Sequence, residues 1–314
     1  MSLFQLLDNG EIEEIREKEF KLEKELQYIC EKNLKILLGL QLVKSEFVIE
    51  NYRFDTLAYD EENKSFVIIE YKRGQNYSVI DQGYAYLATM LNNKAEFILE
   101  YNEKFNKNLK RNEIDWSQSK IIFITQNFTK FQKDTINFKD LPIELYEIKN
   151  FNKNILSFNE VKGERITNNI SKIVVNNENI KKVSEEIKNY TIEDCLNNGS
   201  EEIIELYEKF REKIEEMITA IEIEPKKLYI AFRKNKKNIV DFRLQKSKLK
   251  IWLNIKKGEL EDSKKIFRDV ADVGHWGNGD YESSIDNDEE LEYILSLIKQ
   301  VYRYQIKNYN LATS

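Results

Sequence analysis

The sequence predicts an α/β sandwich with a mixed β-sheet, followed by a smaller α+β domain with an antiparallel sheet. Over residues 1–150, segments with helical and strand periodicity follow one another in the order α-β-β-β-α-β-β-α-β. Residues 151–200 are rich in Asn, Lys and Glu and poor in aromatic residues, which indicates a linker with some helical content. A second series of helical and strand segments over residues 201–314 predicts a second domain, and a length of 314 residues suits two domains.

The first domain is predicted from its apolar spacing. Helical spacing predicts a first helix over residues 11–38, and further helices over 78–92 and 129–135. Apolar runs and alternation predict strands over 47–50, 52–59, 65–72, 96–101, 120–125 and 143–148. The polar run at residues 60–64 predicts a turn that joins the second and third of these strands into a hairpin.

The second domain is predicted to begin with an amphipathic helix over residues 201–220, which Pro225 separates from the strands. Strands are expected over residues 227–233, 238–245 and 248–255, and a helix over 288–304. This pattern is typical of an antiparallel sheet that packs against helices.

Composition narrows the location and the chemistry of the protein. No apolar run approaches the roughly 18 residues that a membrane-spanning helix requires. The N-terminal residues lack the basic and then apolar layout of a signal peptide, so we expect a cytoplasmic protein without a membrane partner. The net charge of −6 does not favour a nucleic-acid partner, although a local basic patch can bind one whatever the overall charge.

The scarcity of histidine and cysteine excludes several kinds of site. His275 is the single histidine, which argues against imidazole triads and histidine-rich zinc sites. Cys30 and Cys195 lie far apart in the sequence and form neither a disulfide framework nor a zinc knuckle, so we interpret both as packing residues. Catalysis would therefore have to rely on carboxylates, lysines, tyrosines and a cation that prefers oxygen ligands.

The predicted hairpin brings two carboxylates and an amine together. With the turn centred between Glu62 and Asn63, Asp55 lies opposite Glu70, at about 5 Å between Cβ atoms. Lys72 is two residues from Glu70 and shares its face, whereas Phe54, Ile69 and Tyr71 are expected to point the other way. Paired carboxylates can bind Mg²⁺, which activates water and polarises a phosphoryl oxygen, and the lysine can orient that water or stabilise negative charge.

An ordinary cross-strand charge cluster is the structural alternative for this hairpin, because such a pattern arises by chance in a chain with 33% charged residues. The position of Glu70 favours the functional interpretation. It follows an apolar strand run, where an unneeded charge would be costly.

Asp55, followed by Glu70-Tyr71-Lys72, resembles the D-x(n)-E-x-K signature of the PD-(D/E)XK nuclease superfamily, and more narrowly the NucS-like and RecB-like endonuclease domains. This resemblance covers about residues 1–150 and implies a restriction-endonuclease-like fold. It implies Asp55 and Glu70 as the principal ligands of Mg²⁺ or Mn²⁺, and Lys72 as the residue that positions or activates the nucleophile.

The resemblance extends to the following helix. NucS-type enzymes carry a Gln and a Tyr four residues apart there, and Gln82 and Tyr86 match them, on one helical face. The family also has a glutamate on its first helix, for which Glu23 is the best match and Glu25 and Glu31 are neighbouring candidates. The N-terminal DNA-binding sheet of NucS enzymes has no counterpart before residue 11, so their substrate preference is not carried over.

The strands of the second domain are basic. Between Pro225 and Gly258, twelve basic residues are interrupted by one acid, Asp241, and interleaved with aromatic residues. These basic residues could bind a phosphate backbone while the aromatic side chains contact bases. The alternatives are that the aromatics form the core, with the lysines in solvent, and that the acidic stretch 259–292 neutralises the basic block. The candidate nucleic-acid ligands are Lys234, Lys236, Lys237, Arg243, Lys248 and Lys250.

A glycine-rich loop holds His275, which could act as a general base with Asp272 or Asp280, or serve as a packed structural residue. This domain resembles an uncharacterised domain found behind PD-(D/E)XK nucleases, in proteins sometimes labelled predicted transport proteins. Nothing in the sequence indicates transport.

Together these patterns predict a Mg²⁺-dependent endonuclease that acts on nucleic acid, with DNA as the first candidate substrate. The alternative is a non-catalytic nucleic-acid-binding or protein-interaction module on a nuclease fold. A homodimer and a partner from a repair or defence assembly stay open.

Overall fold

The computed structural model describes residues 3–73, 78–135, 141–162, 178–188, 190–273 and 279–313. The chain folds into two compact units, Met1–Asn189 and Tyr190–Ser314. In the described residues, no helix combines the length and the apolar character that crossing a bilayer requires.

The N-terminal unit consists of strands and helices that alternate along the chain. Its strands are β1 (Leu3–Leu6), β2 (Ile12–Ile15), β3 (Glu17–Lys18), β4 (Gln41–Ile49), β5 (Tyr52–Asp60), β6 (Ser65–Lys72), β7 (Lys120–Thr125), β8 (Ile143–Phe151) and β9 (Ile155–Glu160). Its helices are α1 (Glu23–Lys32), α2 (Leu34–Leu38), α3 (Val79–Asn92), α4 (Lys94–Phe105), α5 (Lys130–Thr135) and α6 (Glu178–Glu186).

The central sheet of this unit is mixed, with the strand order β3-β8-β7-β6-β5-β4. Strand β7 runs parallel to both β6 and β8, whereas the pairs β4–β5 and β5–β6 are antiparallel. Strand β9 adds to β8, and β1 and β2 form a separate hairpin. This arrangement confirms the predicted mixed-sheet fold class.

Two apolar layers enclose the sheet. On one face, Phe66 and Ile68 of β6 pack with residues of α3, α4 and α6. On the other face, Val67 and Ile69 pack with residues of α1 and α2. Successive residues of β6 therefore face opposite cores, because side chains alternate along a strand. The candidate site lies at the end of this strand.

Two predicted elements are wrong. The first helix begins at Glu23, whereas part of the preceding stretch forms β2 and β3. The predicted strand at residues 96–101 lies instead in α4, where Phe97 and Tyr101 are buried one turn apart and Leu99 is exposed. The consecutive apolar residues from 97 to 99 imitate a short buried strand, while the four-residue spacing of the buried aromatics is the helical signal.

The C-terminal unit is a sheet covered by helices. Its strands are β10 (Glu222–Pro225), β11 (Ile230–Lys234), β12 (Lys237–Gln245), β13 (Lys248–Leu253), β14 (Arg268–Asp269) and β15 (Tyr281–Ile285), and its helices are α7 (Ile192–Leu196), α8 (Glu201–Met217) and α9 (Leu291–Thr313). The strands pair in the order β10-β11-β12-β13-β15-β14, and every pairing is antiparallel. Helices α8 and α9 pack on one face, which confirms the predicted antiparallel sheet.

Candidate active site

The β5–β6 hairpin has the predicted register over most of its length. The strands pair from Asp60 opposite Ser65 to Thr56 opposite Ile69. At Asp55 a side chain replaces the strand backbone as the acceptor, because the Tyr71 amide donates to Asp55 Oδ2 at 2.9 Å. The carbonyl of Asp55 accepts from Gln27 Nε2 on α1, also at 2.9 Å. The carboxylate is thus anchored where β5 leaves the regular ladder.

This departure explains why the expected direction of Phe54 is wrong. Strict alternation would place Phe54 on the face of Tyr71. Instead, its ring packs 4.8 Å from the ring of Tyr86 and belongs to the same core as Ile68. The irregularity at Asp55 reverses which face of the sheet the side chains before it point to, as a β-bulge does.

Glu70 is the centre of the site, and its carboxylate is buried. Lys72 Nζ donates to Glu70 Oε1 at 2.6 Å, and Gln82 Nε2 donates to the same oxygen at 2.9 Å. The Tyr86 hydroxyl lies 3.5 Å from it and also accepts from Gln82 Nε2 at 2.9 Å. The structure therefore brings Glu70, Lys72, Gln82 and Tyr86 together around one oxygen atom.

Helix α3 carries Gln82 and Tyr86 to the site. The Ser78 hydroxyl caps this helix by accepting from the amide of Asp81. Close packing on the sheet depends on Gly83, since an added Cβ would lie only 2.6 Å from Ile143 Cδ1. The small residue lets the helix approach, and its neighbour Gln82 consequently reaches Glu70.

The three first-helix glutamates have different surroundings. Glu23 Oε2 accepts from the amide of Arg73, the residue after Lys72, at 3.0 Å. Glu25 Oε2 accepts from the amide of Lys21, and Glu31 Oε1 accepts from Gln27 Nε2. Glu23 also acts electrostatically on both Asp55 and Lys72. Of the three, Glu23 is therefore the one placed at the end of β6 that carries Glu70 and Lys72.

The charges of the site shift its pKa values in ways that set possible roles. Burial, followed by the charge of Glu70, raises the pKa of Asp55 to about 6. Burial lowers the pKa of Lys72, but the hydrogen bond and charge of Glu70 outweigh it, so the pKa lies above its ordinary value. Burial and Glu70 also raise the pKa of Tyr86. At neutral pH, Lys72 is accordingly a cation and Tyr86 a neutral phenol.

A hard cation suits the oxygen atoms at this position. Glu70 Oε2 is buried and has no hydrogen-bond partner among the described residues, although buried polar atoms are normally paired. Asp55 lies close enough to Glu70 for the two charges to repel. Within the described residues, no group of three or more Asp, Glu, His or Cys side chains is arranged to hold a metal ion. Asp55 and Glu70 are the two carboxylates that could hold a cation here, and Mg²⁺ commonly takes one or two carboxylates while water and phosphate complete its shell.

The two cysteines have the surroundings of packing residues. Cys30 and Cys195 are both buried. Burial raises the pKa of Cys30 to about 12 and that of Cys195 to about 11. Because the thiolate is the reactive form, neither is prepared to act as a nucleophile at neutral pH.

The basic residues of the C-terminal sheet do not form one cluster. Lys234, Lys236 and Lys237, the turn lysines, lie where β11 turns into β12. Lys248 lies opposite Gln245 at the other end of β12, and Arg243 pairs with Lys250 near that end. At about 3.3 Å per residue, the two ends are roughly 25 Å apart. Any contact with nucleic acid would therefore use separate basic groups.

The aromatic residues between these lysines belong to the core. Tyr229, Phe232, Phe242 and Trp252 are all buried, which supports the alternative in which they do not meet bases. The acidic stretch neutralises part of the basic block, because the buried carboxylate of Glu282 accepts from Lys250 and Trp252, and from Arg268. His275, with its suggested role as a base, lies outside the described residues.

Gln27 is the residue at this site that the sequence did not indicate. It is buried, and it bonds the backbone of Asp55 across 28 positions of sequence. The available signal was its spacing of four from Glu23, which places both on one face of α1.

Relatives of the whole chain and of its C-terminal unit are recognisable. Residues 192–305 match a family model described as "Domain of unknown function (DUF5655)". A protein of Haemophilus influenzae, described as uncharacterized, is 49% identical over 296 residues, which cover 94% of this chain and 97% of that protein.

Solved structures show only partial likeness. A repair endonuclease from Pyrococcus abyssi is 15% identical, with a TM-score of 0.23, over 38% of this chain and 45% of that one. A complex of EndoMS with double-stranded DNA is 14% identical, with a TM-score of 0.21, over 41% and 57%. SfsA from Pyrococcus furiosus, in complex with Ca²⁺, is 14% identical, with a TM-score of 0.24, over 49% and 78%. The chain thus spans about half the length of the first two, and similarity at this level does not establish an activity.

Proposed function

We propose that this chain, which belongs to the same family as the uncharacterized Haemophilus influenzae protein, is a metal-dependent nuclease that hydrolyses phosphodiester bonds in nucleic acid, with DNA as the first candidate. The proposal rests on the environment of the two oxygens of the Glu70 carboxylate. One of its oxygens is held by Lys72 and Gln82, while the other is buried without a partner among the described residues, beside Asp55. An unpaired buried oxygen next to a second carboxylate is suited to a cation.

Asp55 and Glu70 would hold the metal, Mg²⁺ or Mn²⁺. When bound, such an ion supplies an activated water and polarises a phosphoryl oxygen. The hydrogen bond from the Tyr71 amide fixes one oxygen of Asp55. Gln82 and Lys72 fix one oxygen of Glu70 in the same way, so both ligands are oriented before any substrate arrives.

Lys72 would act as a cation rather than as a base. Its raised pKa keeps the ammonium protonated at neutral pH. A fixed positive charge can stabilise the negative charge that develops on the phosphate, and its N–H groups can orient a water molecule. The raised pKa is therefore compatible with both roles that the sequence suggests for this lysine, and it argues only against a role as a general base.

Gln82 and Tyr86 would orient the site from α3. Gln82 uses its two N–H groups for Glu70 and for the Tyr86 hydroxyl. Because the pKa of Tyr86 is raised, its hydroxyl keeps its proton and can donate to a phosphate oxygen or to water. Glu23 would add a third carboxylate through a water molecule, since its own Oε2 already accepts from the amide of Arg73.

The test is cleavage by the purified protein of single-stranded, duplex and branched DNA, and of RNA, with Mg²⁺ or Mn²⁺. The variants Asp55→Ala and Lys72→Ala are compared with Lys44→Ala, a matched control that removes a lysine paired with Glu100 on the surface of the same unit. We expect Lys72→Ala to lose about 100-fold or more in rate, the usual cost of one preorganised electrostatic group. Lys44→Ala should cleave like the wild type.

Two outcomes would contradict the proposal. Equal cleavage by all proteins would indicate a contaminating nuclease. Metal-independent binding without cleavage of any substrate would favour the non-catalytic nucleic-acid-binding module instead.

A further inference from the structure

The backbone of Asp55 lacks its normal partner in the sheet. Asp55 is left out of the pairing on both sides of β5. Pairing with β6 stops at Thr56 opposite Ile69, and pairing with β4 passes from Ser45 opposite Thr56 to Phe47 opposite Phe54. The carbonyl of Asp55 therefore needs another donor, because a buried carbonyl without one is costly.

Gln27 supplies that donor from α1. Its Nε2 donates to Asp55 O at 2.9 Å, and also lies 3.0 Å from Glu31 Oε1 and 3.2 Å from Ser45 Oγ. The side chain is buried, with 8% of its surface exposed. The two N–H groups of the amide thus lie among three acceptors, which hold the side chain between α1, β4 and Asp55.

We propose that Gln27 is a positioning residue for the nuclease site, a role that rests on the proposed function. It takes the place of a strand backbone donor, and so fixes the irregularity that turns the Asp55 carboxylate towards Glu70. Removing a residue that hydrogen-bonds to a metal ligand and orients it typically lowers metal affinity or activity by about 10- to 100-fold.

The first measurement needs no metal. Amide hydrogen exchange of Tyr71, followed by NMR in the metal-free full chain, reports whether its bond to Asp55 persists. In Gln27→Leu, which keeps the volume but loses the donor, we expect this amide to exchange about tenfold faster or more. Amides in the regular ladder from Thr56 to Asp60 should keep their rates.

The second measurement is Mn²⁺ affinity by calorimetry, together with kcat and KM for cleavage. Gln27→Leu should weaken Mn²⁺ binding about 10- to 100-fold. Gln27→Asn keeps the amide on a shorter side chain, and its Mn²⁺ affinity should lie between those of Gln27→Leu and the wild type. The control is Asn102→Leu, which removes an amide that clamps the backbone of Leu109 at the end of α4, away from the site.

The outcomes separate the two proposals. Unchanged Tyr71 exchange and unchanged Mn²⁺ affinity in Gln27→Leu would overturn the positioning role, and so would an equal loss of affinity in Asn102→Leu. If the wild type neither binds Mn²⁺ nor cleaves, the nuclease proposal fails, while Tyr71 exchange still decides whether Gln27 holds Asp55. If Gln27→Leu does not fold, Gln27→Asn provides the same comparison.

Discussion

Replacing Asp55 with asparagine should stabilise the metal-free protein at neutral pH. Burial and Glu70 raise the pKa of Asp55 from 3.8 to about 6. Ionising this carboxyl therefore costs more in the folded protein than in the unfolded chain. Asparagine keeps an oxygen that can accept from the Tyr71 amide, but carries no charge to repel Glu70.

The magnitude follows from the shift. At 1.36 kcal/mol per pKa unit, a rise of about two units corresponds to about 3 kcal/mol in the free energy of unfolding. The folded pKa lies above the unfolded one, so the stability of the wild type is fully present below the unfolded value and is lost as pH rises through about 6. The advantage of Asp55→Asn should accordingly be only about half a kcal/mol near pH 4.

The assay is urea unfolding in the presence of a chelator, at several pH values, for the wild type and Asp55→Asn. The control is Asp60→Asn on the same strand, because the carboxylate of Asp60 accepts from the amides of Glu62 and Asn63 and from the Asn63 side chain. That variant should lose about 1 kcal/mol, the usual net value of a hydrogen bond. A destabilised Asp55→Asn, or an advantage that does not vary with pH, would show that the Asp55 charge does not lower the stability of the metal-free protein.

Two further predictions concern α3 and the C-terminal sheet. Gly83→Ala should destabilise the protein by about 1–3 kcal/mol through overpacking against Ile143, partly offset by helix propensity. In a double-mutant cycle followed by urea unfolding, Ile143→Val should relieve part of this loss. If the free-energy changes of the two single variants simply add in the double variant, the two residues are not in close contact. Charge reversal of the turn lysines should weaken nucleic-acid binding and lower its salt dependence, by about one unit of slope per lost phosphate contact; an unchanged slope would show that these residues do not hold nucleic acid.

Much of the site's geometry followed from local rules. A period of two along β6 places Glu70 and Lys72 on one face, and a spacing of four places Gln82 and Tyr86 on one side of α3. Both relations depend only on regular secondary structure, and the structure shows all four side chains around one oxygen. Their catalytic roles stay predictions.

The features that the sequence did not predict come from tertiary structure. Alternation assumes an unbroken ladder, and it fails at Asp55, where a side chain takes the place of a backbone acceptor and Phe54 joins the opposite core. The contact of Gln27 with Asp55 depends on how α1 packs on the sheet, and the spacing of four from Glu23 does not by itself indicate that packing. At residues 96–101, which lie in α4, the short apolar run is compatible with both the strand period of 2 and the helical period of 3.6, so the sequence pattern alone did not distinguish a strand from a helix.

The arrangement at Asp55 explains how the proposed site can be prepared for a cation at the expense of stability. In the regular part of the hairpin, backbone groups satisfy each other, and the strands need no charged side chain. At Asp55 this backbone pairing is absent, and a carboxylate lies beside Glu70. The Tyr71 amide holds that carboxylate, and Gln27 holds the carbonyl of the same residue. Since the repulsion between the carboxylates disappears when a divalent cation lies between them, the same contacts that destabilise the metal-free protein would strengthen metal binding. Stability and cation affinity should therefore change in opposite directions when Asp55 is neutralised, and the unfolding and calorimetric measurements can detect that opposition.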